Sequence, residues 1–201
     1  MKKLLILAAL MATVCLMNAS LAFDVGFYAP KDSKVNILWG LENFYIVDEK
    51  VTLGFTANYF YREHRDKYLV EPAGEYSPAV WAANTLLRTY FLPLYAGFKV
   101  HVPIEDVPVI PFAGADFGWG FAWKYHNAVL ENGSEHKGTD FYHGFTWRIN
   151  LGVSYPLGEK SELYVKSFYN DASFEQSKGM KKWNEFDLSG ISIGLGIRFK
   201  Y

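Results

Sequence analysis

Ionisable side chains recur in this sequence at positions that alternate with apolar residues, and they are the first candidates for chemistry. The set contains both signs of charge: Asp24, Glu42, Arg62, Lys99, His101, Asp116, Arg148, Glu162, Lys166, Arg198 and Lys200. Opposite charges on one face can line a path for ions, or they can neutralise one another as a structural network. The choice depends on the elements that hold them and on the space between those elements.

A second group of candidate ligands lies in one polar segment and consists of His126, Glu131, Glu135 and His136. Imidazole and carboxylate groups bind zinc, but the spacing of these four residues fits no ordered zinc site. Histidine and glutamate in a polar connection are usually solvated. We therefore expect no metal and no cofactor.

The closing segment, residues 187–201, shows most clearly which element could hold the charged set. Its apolar side chains occupy alternate positions: Ile191, Ile193, Leu195, Ile197, Phe199 and Tyr201. The positions between them hold glycine, serine, arginine and lysine. Because successive side chains of a strand point to opposite faces, this alternation predicts a β-strand with one apolar face and one small or charged face.

The same period of two appears in the rest of the chain, and no segment shows a convincing helical period. The predicted strands are 23–29, 35–47, 50–62, 86–102, 109–124, 141–155, 162–170 and 186–201. The predicted fold class is all-β, and these segments can form an eight-stranded antiparallel up-and-down barrel.

Glycine indicates which face of these strands points inward. The chain has 17 glycines, and those in predicted connections are Gly74, Gly133, Gly138, Gly158 and Gly179. All the others lie on the polar face of a predicted strand. Small residues suit the crowded interior of a narrow barrel, so the bulky apolar face would point outward, which is tolerable only in lipid. The pattern predicts a transmembrane barrel rather than a soluble one with an apolar interior.

The predicted connections alternate in length. Short ones lie at 48–49, 103–108 and 156–161, and long polar ones at 63–85, 125–140 and 171–185. Short periplasmic turns and longer extracellular loops are typical of outer-membrane barrels. Aromatic residues near the strand ends form two levels, as expected at the two membrane–water interfaces.

Residues 1–22 have the composition of a secretory signal peptide. Two lysines precede an apolar run, and residues 20–22 form a small-x-small cleavage site. The run is too short for a spanning helix. It contains the single cysteine of the chain, Cys15, so a mature protein of residues 23–201 would have no disulfide. The net charge of −1 gives no indication of a nucleic-acid partner.

Two parts of the sequence resemble a known family. The closing strand ends in an aromatic residue, and residues 111–118, P-F-A-G-A-D-F-G, form a glycine-rich strand. Both resemble the small eight-stranded bacterial outer-membrane barrels, the family that includes the OmpA membrane domain, OmpX and OmpW. The resemblance covers residues 23–201. It implies an outer-membrane location in contact with lipid and lipopolysaccharide, with both termini in the periplasm.

The resemblance also implies a partner for the closing strand. The barrel assembly machinery reads such strands, here through Ile197, Phe199 and Tyr201. We expect a monomer. If the protein is OmpW-like, a small hydrophobic molecule is a further expected partner.

Three functions remain open at this stage. The first is a non-enzymatic barrel with a structural or surface-interaction role, whose lumen is plugged by ion pairs. The second is an OmpW-like conduit or binder for small hydrophobic molecules, with a pocket among Phe60, Phe91, Tyr95 and Phe168.

The third function is modification of lipid A, since two enzyme families share the barrel architecture. The deacylase needs a serine two residues after its histidine, but Ala128 stands at that distance from His126. His143 and Thr146 would lie on opposite faces of their strand. A serine or threonine nucleophile must lie within hydrogen-bond reach of its base. We therefore expect no enzyme.

Geometry favours a plugged lumen over a conduction path. Eight strands leave an interior just wide enough for side chains. Asp116 and Arg148 lie at similar heights on neighbouring strands, so we predict that they pair, with Lys99 or Lys166 nearby. Glu42 and Arg198 complete the predicted network.

Overall fold

The computed structural model describes residues 19–48, 50–71, 80–129, 135–175 and 185–200. These residues form strands and connecting turns, which confirms the predicted all-β class. No helix among them is long and apolar enough to span a membrane. The strands are β1 (Ala19–Pro30), β2 (Asn36–Ile46), β3 (Val51–Glu71), β4 (Val80–His101), β5 (Ile110–Val129), β6 (Glu135–Pro156), β7 (Ser161–Asp171), β8 (Ser173–Glu175), β9 (Glu185–Asp187) and β10 (Gly190–Phe199).

All strands except β8 and β9 close into one antiparallel barrel, in the order β1-β10-β7-β6-β5-β4-β3-β2. β1 pairs with β2 on one side and with β10 on the other, so the last strand of the chain completes the barrel. β8 and β9 form a separate two-stranded sheet. The predicted eight-stranded antiparallel barrel is confirmed.

Burial alternates along the barrel strands as the sequence predicts. On β7 every second side chain from Glu162 to Asn170 is buried in the lumen, while Leu163 and Val165 are exposed on the outside. Leu195 on β10 also points outward and is 60% exposed. An apolar outer face around a lumen that buries charged and polar side chains suits a lipid surrounding.

The two ends of the barrel differ in their connections. One end has the links between β2 and β3, β4 and β5, and β6 and β7, which are short as predicted. We call it the short-turn end. The opposite end has the links that follow β1, β3, β5 and β7, and we call it the long-hairpin end.

The prediction of long loops after β3 and β5 is wrong. β3 and β4 remain paired as far as Glu71 and Val80, and β5 and β6 as far as Val129 and Glu135. The sequence pattern fails there because the extensions mix polar and apolar residues without a period of two. Backbone hydrogen bonds of an antiparallel hairpin form without that alternation. Gly138, assigned to a loop, consequently lies in β6.

These extensions raise one side of the barrel above the other. β4 has 22 residues, which at about 3.3 Å per residue span about 70 Å along the strand. The apolar band of an outer-membrane barrel is only about 25 Å tall. β4 and β5 also stay paired up to Thr85 and Ala128, so β3–β6 continue past the rim as one sheet. We call this sheet the projecting wall (residues 63–71, 80–88, 125–129 and 135–140).

The connection between β7 and β10 folds back over the lumen. Its described parts contain β8 and β9, in which Phe174 pairs with Phe186. The backbone N–H of Leu188 donates to the carbonyl of Ala172 at 2.9 Å, which closes the base of the hairpin. We call residues 172–175 and 185–189 the mouth hairpin.

Two predicted boundaries differ from the structure. The predicted last strand, 186–201, begins too early, because residues 185–187 belong to the mouth hairpin and β10 starts at Gly190. β1 begins at Ala19, so residues 19–22, predicted as the end of the leader, have strand structure, and Ala22 pairs with Arg198. The cleavage site remains a prediction, and residues 1–18 lie outside the described part.

Candidate functional site

The candidate site is the lumen, because it collects the charges that the sequence analysis singled out. Carboxylates and lysine or arginine side chains are buried there in equal number: Asp24, Glu42, Asp116, Glu162, Lys99, Arg148, Lys166 and Arg198. Their formal charges cancel. Burying such a set is tolerable only if each charge has a partner.

Asp116 and Arg148 form the central pair, and the β5–β6 register places them directly opposite each other. Arg148 Nε donates to Asp116 Oδ2 at 2.5 Å, and Arg148 Nη1 donates to Asn58 Oδ1 at 2.6 Å. Asn150 Nδ2 donates to the same Asp116 oxygen at 2.9 Å. The Arg148 guanidinium also lies 4.5 Å from the centroid of the Tyr95 ring. The central pair therefore connects β3, β4, β5 and β6 across the lumen.

Glu42 is the centre of a second charged group. Lys99 Nζ donates to Glu42 Oε2 at 2.6 Å, and Lys166 Nζ donates to Glu42 Oε1 at 2.7 Å. One of these lysines was predicted to lie near the central pair, and the structure shows that both donate hydrogen bonds to Glu42. This group joins β2, β4 and β7, which are not neighbours in the barrel.

The second charged group continues toward the short-turn end. Lys166 Nζ also donates to Asp24 Oδ2 at 2.8 Å. Arg198 Nη1 donates to Glu162 Oε1, and Lys200 Nζ lies 2.9 Å from the other oxygen of that carboxylate. Each of these carboxylates thus has a cationic partner from another strand.

Two glycines make room for the buried carboxylates. A Cβ atom at Gly97 would collide with Asp116 Oδ1, and a Cβ atom at Gly40 would collide with the carboxylate of Asp24. Both positions lie on strands next to the strand that holds the carboxylate. The missing side chains are what allow the two carboxylates to lie against the barrel wall.

Hydroxyl and amide groups form the next layer toward the long-hairpin end. Tyr95 Oη donates to Asn170 Oδ1 and lies 3.2 Å from Thr146 Oγ1. Asn170 Nδ2 donates to Tyr28 Oη at 3.0 Å, and Tyr28 donates to the carbonyl of Leu188. This layer therefore links the barrel strands to the mouth hairpin.

Aromatic rings fill the lumen at the long-hairpin end. The buried side chains form one apolar cluster: Tyr28, Leu38, Phe60, Phe91, Ala122, Tyr142, Phe168, Ala172, Phe174, Phe186 and Leu188. Between ring centroids, Phe174 lies 5.8 Å from Phe91, and Phe186 lies 5.1 Å from Tyr142. The mouth hairpin thus contributes its own side chains to the interior of the barrel.

The candidate ligand pocket among Phe60, Phe91, Tyr95 and Phe168 is filled in the structure. All four side chains are buried, and the ring of Phe174 from the mouth hairpin packs against that of Phe91. This packing was not predicted, because residues 171–185 were expected to form a polar connection. The aromatic pair at Phe174 and Phe186 was the one available signal.

The histidines singled out in the sequence have different surroundings. His126 Nδ1 lies 3.5 Å from Asp140 Oδ2, and the side chains of Glu131, Glu135 and His136 lie outside the described part. His143 is on the outer face, with its ring 6.0 Å from that of Trp119. Among the described residues, no group of three or more potential ligands could hold a metal ion.

A surface ion-pair cluster lies at the base of the projecting wall. Glu63 accepts hydrogen bonds from Arg88 Nε at 2.9 Å, Tyr61 Oη at 2.9 Å and Arg65 Nε at 2.5 Å. These bonds, with that from Arg88 contributing most, lower the pKa of Glu63 to about 2. The cluster ties β3 to β4 where the wall leaves the barrel.

Two solved structures resemble the chain over most of its length. The crystal structure of Neisserial surface protein A (NspA) matches with a TM-score of 0.57 and 14% identity, covering 91% of this chain and 97% of that chain. The crystal structure of the outer membrane protein OprG from Pseudomonas aeruginosa matches with a TM-score of 0.51 and 13% identity, covering 91% and 96% of the two chains. No family model and no curated protein matches the sequence.

The chain has the fold of the small outer-membrane β-barrels. The predicted resemblance is confirmed at the level of the fold. On the closing strand, Phe199 is exposed on the outer face of the barrel, and Ile197 lies on the same side. In such a barrel this outer face is the one that contacts lipid. Tyr201, the third residue of the predicted assembly signal, lies outside the described part.

Proposed function

We propose that the protein is a non-enzymatic barrel of the outer membrane, with a plugged lumen and a surface-interaction role for the projecting wall. The apolar outer face and the likeness to two outer-membrane barrels support the location. In this proposal the short-turn end and both termini face the periplasm. Lipid and lipopolysaccharide surround a monomer, and the barrel assembly machinery reads the closing strand.

The observation that carries the proposal is that buried side chains occupy successive levels of the lumen. Ion pairs around Glu42, the central pair, the hydroxyl and amide layer and the aromatic cluster follow one another along the barrel axis. Eight strands leave little room beyond such side chains. Water and solutes would therefore meet a packed interior rather than a channel.

Planar-bilayer recording tests the plug directly. We expect purified wild-type monomer to show no steady conductance above the bare bilayer. The double variant Asp116→Ala with Arg148→Ala should still block ions, because the aromatic cluster remains in place. It should admit ions only if the mouth hairpin is also removed. Large, stable ohmic channels from the wild type would contradict the plugged lumen.

The surface role rests on the shape of the projecting wall. Its two hairpins extend one side of the rim by paired strands, which gives a large sheet outside the apolar band. A photo-crosslinking residue at Arg65, in the wall, should yield adducts with external molecules in intact cells. The same residue at Leu157, in a short turn, serves as the control, and identical adduct patterns from both sites would refute the surface role.

One observation favours the hydrophobic-molecule conduit as a second candidate. The β3–β4 pairing runs from Val51 to Ala57 and resumes at Phe60, and Pro93 lies opposite the interruption. Proline has no N–H to donate, so the sheet loses a hydrogen bond at this interruption, which we call the seam. A groove of about 670 Å³ on the outer face borders the seam, with Leu92 in its lining. A conduit would release its ligand laterally at this point.

Uptake into proteoliposomes separates the two candidates. The plugged barrel predicts that a small hydrophobic dye enters at the rate measured for protein-free liposomes. Faster uptake that is abolished by Pro93→Ala would establish the conduit instead. A Pro103→Ala variant, in a short turn away from the seam, controls for nonspecific effects of proline removal.

A further inference from the structure

A cavity of about 430 Å³ lies at the long-hairpin end, above the aromatic cluster. The turn after β1 contributes Lys31, Asp32 and Lys34 to its lining, and the strands contribute Arg62, His64 and Lys124. The three strand residues continue the lumen-facing positions of β3 and β5. The cavity is therefore an outer vestibule, separated from the ion-pair layers by packed rings.

The charge of this vestibule is positive. Lys31, Lys34, Arg62 and Lys124 are cationic, and Asp32 is the carboxylate in the lining. The Asp32 carboxylate already accepts a hydrogen bond from the backbone N–H of residue 187 at 2.8 Å. The lumen below has balanced charges, so the excess of cations is particular to the vestibule.

Neighbouring carboxylates of the described residues reduce this excess. Lys31 Nζ lies 2.9 Å from Asp187 Oδ2, which belongs to the mouth hairpin. Asp140 is opposite Lys124 in the β5–β6 register and contacts His126. Among the described residues, no carboxylate oxygen lies within 4 Å of the Arg62 guanidinium in an ion pair.

Arg62 supplies the observation that points to a ligand. Its Nε atom is buried and has no hydrogen-bond partner among the described residues. The Arg62 side chain as a whole is half-buried, and leaving this one buried donor without an acceptor is costly. Guanidinium matches the geometry of phosphate and sulfate oxygens, to which it can donate two parallel hydrogen bonds.

The remaining lining fits the same ligand class. Lys124 Nζ lies 5.1 Å from the centroid of the Phe186 ring, which holds the ammonium group on the floor of the vestibule. The hydroxyl-bearing Thr89 pairs with Arg62 in the β3–β4 register and also lines the cavity. The volume lies within the range of about 300–1,000 Å³ that is typical of small-ligand sites.

We propose that the outer vestibule is a binding site for a phosphate- or sulfate-bearing molecule, with Arg62 as its main ligand-binding residue. Lys124 and the lysines of the turn after β1 add electrostatic attraction. The site is separate from the plug and does not depend on whether the barrel conducts. The anion could be a soluble molecule or a phosphorylated part of lipopolysaccharide that reaches over the rim.

Titration calorimetry of the folded full-length barrel in zwitterionic micelles tests the site, with inorganic pyrophosphate as the probe. We expect saturable binding that weakens with added salt, since the attraction is electrostatic. Arg62→Gln should weaken binding at least tenfold. Lys50→Gln, which removes one positive charge at the short-turn end, should leave it unchanged.

The gel mobility of unboiled samples shows whether each variant is folded, and Lys124→Gln replaces Arg62→Gln if the latter does not fold. The absence of pyrophosphate binding, or equal binding by the Arg62 and Lys50 variants, would overturn the proposal. Competition then identifies the source of the anion. Displacement of pyrophosphate by lipopolysaccharide in nanodiscs, but not by its dephosphorylated form, supports the lipid source, and displacement by neither supports a soluble anion.

Discussion

The two halves of the lumen are lined by different kinds of buried side chain. Near the short-turn end, the buried side chains include the paired charges around Glu42 and the central pair of Asp116 and Arg148. Near the long-hairpin end, the filling is aromatic, and part of it comes from Phe174 and Phe186 of the mouth hairpin. The first half is built from the barrel strands alone, whereas the second half depends on a segment that returns to the barrel from its rim.

This difference predicts different responses to mutation. A charge on a barrel strand cannot move away when its partner is removed, because the strand is held by pairing on both sides. A ring on the mouth hairpin can leave the lumen together with its hairpin while the barrel stays closed. Mutations in the ionic half should therefore lower the free energy of global unfolding, and mutations in the aromatic half should open the mouth hairpin locally.

The largest effect is expected at the central pair. Arg148→Ala leaves Asp116 buried without a cation, which should lower the free energy of unfolding by about 3–5 kcal/mol. Urea unfolding of the barrel in lipid vesicles, followed by gel mobility, measures the loss. The double variant with Asp116→Ala should lose less than the Arg148→Ala variant. Losses that simply add would show that the pair is not coupled.

The second prediction compares one phenylalanine from each half. Phe112→Ala, on β5 in the ionic half, should cost about 3–5 kcal/mol, since its strand cannot relax into the cavity. Phe174→Ala should cost less in global unfolding but should increase hydrogen exchange in the mouth hairpin. Equal global losses, with no change in exchange, would mean that the mouth hairpin is as fixed as a barrel strand.

Glycine substitutions give a smaller and more local contrast. Gly97→Ala places a methyl group against Asp116 Oδ1 and should cost about 1–3 kcal/mol through overpacking. Gly144→Ala places its methyl group 3.1 Å from Phe174 Cδ1, and that ring can shift with its hairpin. We therefore expect a smaller loss from Gly144→Ala in the same unfolding assay, and the reverse order would contradict the contrast between the halves.

The smallest effect concerns pH and the surface cluster at the base of the projecting wall. Because the folded-state pKa of Glu63 is about 2 and its ordinary value is 4.5, the contribution of Glu63 is complete above about pH 4.5. It is lost as the pH falls toward 2. Hydrogen exchange in β3 and β4 near Arg88 should increase over this window in the wild type. The Glu63→Gln variant should show no such pH dependence. If the variant keeps the pH dependence of the wild type, Glu63 does not have this role.

Several features of the fold could be read from the sequence because each depends on local alternation. Alternation of apolar and polar residues with a period of two separates the lipid-facing positions from the lumen-facing positions. The glycines identify which of the two sets faces the lumen. The pairing of Asp116 with Arg148 followed from counting along two strands joined by one hairpin, since the hairpin fixes their register. These inferences need only neighbouring strands.

The remaining features were decided by the tertiary structure. Lys99 and Lys166 meet at Glu42 because the closed barrel sets the relative heights of strands that are not neighbours, and no local pattern encodes those heights. The mouth hairpin fills the candidate pocket because Phe174 and Phe186 find an apolar space in the lumen that exists only after the barrel closes. The projecting wall forms because backbone hydrogen bonds propagate beyond the membrane, where side-chain alternation no longer reports a strand.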